Sequence, residues 1–298
     1  MIQNSGLRTI IFTLPTLALL SGVAVAADPA PATTTARMPT VTSTDATWLK
    51  EERPIDETGR PEWTSARRFT TTRVYIQKAP WEVGVEQWWR YRYRRDNSSI
   101  SRLSSEVEIG LPYRMQLDMY YDHAVDGDGH SRTEDFAFEL RYAFADWGKI
   151  PLNPTVYAEY KIVPDGADVF EGKILLGDQI AGGWHYGINF IWEQQLGAER
   201  ECEYQVVAGI SKTILDGKLG LGIEFKYDND TVKGGRGDAE NIFLWGPSVQ
   251  WRPTENFHID MTALIGANDD SPRQECYLIL GYDFGPKDSE YHPVSGIR

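Results

Sequence analysis

Glu86, Arg90, Arg92 and Arg94 occupy alternate positions in the run WEVGVEQWWRYRYRR, residues 81–95. Charged residues two apart share one face of an extended strand. The chemistry open to such a face is electrostatic: ion pairing across strands, or a charged lining that selects among solutes. Glu106, Glu108, Arg114, Asp118, Glu139, Arg141, Glu159 and Lys161 continue the pattern in the segments that follow. With a first hairpin turning near Ser98, Arg90 falls opposite Glu106 and pairs with it. One reading is a zipper filling a narrow interior, where charges must be paired or hydrated. The other is a charged constriction.

Hydrolytic chemistry would need a nucleophile, a base and an acid together. A turn centred on Thr254 sets Gln250 against His258 and Ser248 against Asp260, with Asp283 on the adjoining strand. No nucleophile-turn motif accompanies this group, so it reads as polar lining and no residue is assigned to catalysis. His185 reads the same way. The loop Asp126-Gly127-Asp128-Gly129-His130 offers oxygens but lacks the closing Glu of a calcium loop, so it reads as solvated acid. No metal and no cofactor are expected. Cys202 and Cys276 are the only cysteines, too few for a disulfide framework or a four-cysteine zinc site. A single bridge and two small apolar strand residues both remain open.

The positions between the charges define the elements. Val83, Val85, Trp89, Tyr91 and Tyr93 form the opposite face of the first run. An apolar face with aromatics toward its ends, backed by a densely charged face, is the pattern of a membrane-spanning barrel strand. Twelve such strands are expected, at about 81–95, 101–111, 113–122, 134–144, 155–163, 168–177, 183–194, 201–212, 218–227, 241–252, 256–266 and 275–284. Short turns at Gly110-Leu111-Pro112, Asp216-Gly217 and 253–256 alternate with longer polar loops at 123–132, 228–239 and 268–273. Aromatic residues sort to both strand ends, including Trp81, Tyr113, Phe144, Trp184, Trp251, Phe257 and Phe284 at one, and Tyr93, Tyr121, Phe136, Tyr160, Trp192, Tyr204, Tyr227 and Phe243 at the other. Two girdles suit a bilayer, whereas a soluble sandwich has no reason to form them. The expected fold is therefore all-β: a closed antiparallel transmembrane β-barrel of twelve strands. Pro247 lies within the tenth and predicts a bulge or irregularity there.

A short apolar run ending at Ala24-Val25-Ala26 reads as a signal peptide over residues 1–26. Residues 27–80 read as a largely flexible periplasmic extension, 81–285 as the barrel and 286–298 as a tail. Within the extension, Arg68–Lys78 (RFTTTRVYIQK) alternates briefly and reads as an approach to the barrel, in preference to an extra strand or a plug. No apolar stretch downstream is long enough for a membrane helix. A net charge of −13 argues against nucleic acid as partner.

The last strand, LILGYDF (Leu278–Phe284), resembles the final-strand assembly signal of Gram-negative outer-membrane barrels. Paired segments such as EVEIGLPYRMQLDMYY and GKIPLNPTVYAEYK resemble small proteobacterial barrels of the transporter-like, phenol-degradation type. The expected location is the outer membrane, after export through the signal peptide, with lipid, the barrel-assembly machinery and a small-molecule permeant as partners, and the chain is expected to be a monomer. The later strands place Leu175, Ile191, Val207, Ile242, Leu244, Leu264 and Ile279 inward, opposite the charged wall. The expected function is a channel or passive transporter for a small solute, amphipathic or hydrophobic ones included. The alternatives are a lumen-closed barrel with a structural or surface-interaction role, and an outer-membrane hydrolase.

Overall fold

The computed structural model describes residues 48–285. The expected signal peptide (1–26), residues 27–47 and the tail 286–298 lie outside them. Twelve strands form one sheet: β1 Val83–Tyr93, β2 Ser99–Leu111, β3 Met115–Asp126, β4 Ser131–Ala143, β5 Thr155–Ile162, β6 Val169–Ile180, β7 Trp184–Gln195, β8 Cys202–Leu215, β9 Leu219–Thr231, β10 Glu240–Trp251, β11 Phe257–Gly266 and β12 Gln274–Phe284. Each pairs antiparallel with its sequence neighbours, and β1 pairs with β12. The chain is the closed all-β barrel that its alternation specifies, and closure leaves no strand edge unpaired.

The two-residue period sorts the side chains. On β4, Asp135, Ala137, Glu139, Arg141 and Ala143 are buried while Phe136, Phe138 and Leu140 are exposed. Exposed aromatics gather in two bands. Trp81, Tyr113, Phe144, Trp184, Trp251 and Phe284 lie toward the end where β1 begins and β12 stops, here called the terminal end. Tyr121, Phe136, Tyr160, Trp192, Tyr204 and Phe243 lie toward the opposite, loop end.

One strand start moves, and the irregularity expected at Pro247 takes the form of a gap in one ladder. Left-handed backbone at Tyr113 (φ 63°) and Arg114 (φ 61°) makes the β2–β3 turn, so β3 starts at Met115. Pro247 causes no bulge: its register with β9 is regular. The β10–β11 ladder is instead interrupted at Gly246 and Pro247, and resumes in the same register at Ser248↔Thr262. Proline supplies no N–H there, which accounts for the gap without an extra residue. The irregularities that shift register lie at Asp122/His123 and Thr213/Leu215. Cys202 and Cys276 are free thiols on β8 and β12, strands that are not neighbours.

Residues 63–80 do not approach the barrel from outside. They run through its interior. Arg67 bonds side chains of β1 and β2, Arg68 those of β8 and β10, Arg73 those of β2 and β7, and Gln77 one of β3. A segment that touches opposite walls at once must lie between them. Trp63, Phe69, Val74, Tyr75 and Ile76 form its apolar centre with Ala143 of β4. The expectation of a flexible extension fails for this part because Arg67, Arg73 and Lys78 find their ion-pair partners on the barrel's inner face.

Candidate functional site

The β1–β2 turn sets the electrostatics of the lumen. Asp96 accepts the Ser98 N–H at 2.9 Å and the Ser98 hydroxyl at 2.7 Å, contacts that also hold its carboxyl below the usual range. This centres the hairpin two residues earlier than expected. Arg90 therefore lies opposite Arg102, and Glu106 opposite Glu86. Like charges directly across a sheet are destabilising. Arg67 resolves the acidic pair: its guanidinium donates to both Glu86 and Glu106, the latter at 2.8 Å, and lies over the Trp88 ring at 3.7 Å. Arg102 is balanced by Asp122 at 3.6 Å and by Glu134.

The rest of the segment is seated in the same way. Arg73 reaches Glu106 at 2.7 Å and Glu108 at 3.4 Å, and Lys78 reaches Glu108 at 3.0 Å and also Asp283. Asn189 of β7 pairs with both backbone groups of Arg73, at 2.7 Å each. Glu224 of β9 accepts the N–H groups of Thr70 and Thr71 at 2.9 and 2.7 Å. The wall also makes room. Gly177, Gly187 and Gly209 are directly paired on β6, β7 and β8. A Cβ at Gly177 or Gly187 would lie 2.6 or 2.7 Å from Val74, and one at Gly209 would lie 2.4 Å from Phe69. The long β4–β5 connection, residues 144–154, closes over the segment: Trp147 packs edge-on against Trp63 and Tyr75, with centroids at 5.7 and 5.3 Å.

A line of acids climbs the wall. Glu108, Asp118, Glu139, Glu159, Glu171, Glu193, Glu203, Asp230 and Glu240 each stand directly opposite the next, from β2 to β10. Its lower part is neutralised. Arg141 holds Asp118 at 3.0 Å and Glu139 at 2.7 Å, Lys161 holds Glu171 at 2.8 Å and also Glu193, and Lys173 pairs with Glu171. Among the described residues, no ion pair reaches Glu203, Asp230 or Glu240.

Above the segment, toward the loop end, a vestibule of about 640 Å³ remains. Arg67, Thr70, Thr71 and Arg73 contribute to its lining from the segment; Arg90, Arg92 and Arg102 form one side, and Glu159, Glu171, Glu193, Glu203, Asp228 and Asp230 another. Arg92 pairs with Glu275 across β1 and β12. Two of the expected lining residues sit elsewhere. Arg94 is exposed in the β1–β2 loop, and Arg114 reaches Asp146 at 3.0 Å at the terminal rim, because the left-handed turn points it there.

The apolar set is divided. Ile191, Val207 and Ile242 line the vestibule, whereas Leu175, Leu244, Leu264 and Ile279 are fully buried away from it. Ile242, Leu244 and Leu264 pack together with Tyr277. The serine–histidine grouping does not assemble. The β10–β11 register puts Ser248 opposite Thr262 and Gln250 opposite Asp260. His258 Nδ1 is 2.6 Å from Asp260, its Nε2 is 3.5 Å from Glu86, and it occupies the space left by Gly281. His185 is fully buried beside Trp63, with ring centroids 4.5 Å apart.

The segment's role escapes a reading by periodicity because it has no regular strand or helix over 66–80. The available signal was in the wall: inward glycines at 177, 187, 209 and 220, where packing removes room for side chains.

No protein-family model matches the chain, and no curated protein matches by sequence. The fold is similar to that of the COG4313 outer membrane channel from Pseudomonas putida F1, with 11% identity, a TM-score of 0.51 and coverage of 70% of this chain and 97% of that one. The NanC porin overlaps less well, with 12% identity, a TM-score of 0.47 and coverage of 68% and 100%. The likeness is one of fold: a twelve-stranded barrel of the outer-membrane type.

Proposed function

We propose that this chain is an outer-membrane channel that passes a small, charged or strongly polar solute passively, gated by its own residues 48–80. The observation that carries the reading is the vestibule of about 640 Å³ whose lining includes Arg67, Thr70, Thr71 and Arg73 of that segment. A lumen built only for stability would be filled to both ends, as protein interiors are. Charged walls favour a polar permeant over a hydrophobic one, since four of the seven apolar inward residues are packed out of reach. The two aromatic bands support a bilayer setting for a monomer surrounded by lipid.

A reversible lock tests the gate. A Cβ at Gly187 would lie 2.7 Å from Val74 Cγ2, close to the sulfur-to-Cβ spacing of a disulfide. In the variant V74C/G187C, oxidation is expected to abolish single-channel steps in a planar bilayer, and reductant to restore them. Folded protein that stays silent in both states would favour the lumen-closed structural barrel instead.

A further inference from the structure

The register of the acids points to a ligand as well as to a lining. Opposed inward acids recur around the barrel, and each such pair lower on the wall has a cation of the chain on at least one member. Arg67 bridges Glu86 and Glu106, Arg141 bridges Asp118 and Glu139, and Lys161 bridges Glu171 and Glu193. Glu203 of β8 and Asp230 of β9 are opposed in the same way and both line the vestibule. Among the described residues, no cation of the chain pairs with either. Beside them Asp228 is 1% exposed; its Oδ2 holds Lys226 at 2.9 Å while its buried Oδ1 has no hydrogen-bond partner, and neither has Asp230 Oδ1. A buried carboxylate oxygen without a donor is costly, and a charged donor relieves that cost best.

We propose that Glu203, Asp228 and Asp230 form a binding site for an organic cation, an ammonium or guanidinium group entering the vestibule from the loop end. The sign follows from the local balance: among the described residues, Lys226, which Asp228 shares with Glu275, is the one cation in an ion pair with any of these three acids. Excess charge therefore lies on the acidic side. A metal ion fits less well. Among the described residues these three do not bring ligand atoms within 4.8 Å of one another, as Glu86, Glu106 and Glu108 do. A guanidinium spreads its donors over such a spacing, and Arg67 between Glu86 and Glu106 is the chain's own example. This inference deepens the channel reading by naming its solute class, and binding can be measured apart from conduction.

The test is calorimetric titration of folded, full-length protein in detergent with agmatine, which carries one guanidinium and one ammonium group. Saturable binding is expected in the wild type and binding weaker by roughly tenfold in Asp230→Asn, the loss of one charged hydrogen bond. The double variant E203Q/D230N should bind weakest, and a gel shift on boiling verifies that each variant is folded. Asp230 has no ion-pair partner, so its removal strands no cation of the chain. Absence of wild-type binding, or equal binding by the wild type and the double variant, overturns the site. Binding by a preparation that never conducts supports the site and removes the channel reading. Conduction without agmatine binding removes the site alone.

Discussion

Arg67→Ala is expected to release the inner segment and turn a mostly closed barrel into a persistently conducting one. The reason lies in the β1–β2 register. Glu86 and Glu106 face each other at 4% and 1% exposure, and among the described residues Arg67 is the one bonded to both. Removing one partner from a buried ion pair costs about 3–5 kcal/mol, chiefly because the remaining charge is left uncompensated. Water entering the lumen can relieve that cost only if the segment moves. A shift of about 3 kcal/mol changes the balance between seated and released states by roughly a hundredfold. The barrel should survive, because its ladders do not depend on Arg67. Single-channel recording should show long openings, and limited proteolysis should cut within 48–80. Wild-type silence together with a protected segment in the variant would refute the account.

Gly209→Leu should give the same phenotype by steric means, with every charge intact. The glycine's absent Cβ would lie 2.4 Å from Phe69 Cδ1, so a leucine occupies the space of the phenyl ring. Overpacking of this kind costs about 1–3 kcal/mol when neighbours can shift. Here the easiest shift is withdrawal of Phe69, since the wall is held by hydrogen bonds along β7, β8 and β9. Ala208→Leu, one residue away on the lipid-facing side, serves as the control and should leave both conductance and protease protection unchanged. Equal behaviour of the two variants would mean that the segment is not seated against this wall. If Arg67→Ala opens the barrel and Gly209→Leu does not, the electrostatic contacts alone set the gate.

The barrel itself was legible in the chain because membrane strands carry their instructions locally. A period of two assigns each residue to lipid or lumen, and the aromatics of Trp81, Trp184 or Tyr204 mark where each strand meets an interface. Closure in neighbour order follows from short connections. What the sequence left open depended on contacts between residues far apart. A displacement of the first turn from Ser98 to Asp96 changed every partner across β1 and β2, exchanging an expected Arg90–Glu106 pair for Glu86 against Glu106. That exchange created the need that Arg67 meets. Residues 66–80 lack a period because their shape is dictated by the walls around them: glycines that admit Phe69 and Val74, and carboxylates that hold Arg73 and Lys78. The sequence by itself therefore determined the strands, their order and the faces they present. Only the tertiary structure decided which charges meet and that residues 63–80 run inside the lumen, because both depend on register and through-space distance, to which a local pattern is blind.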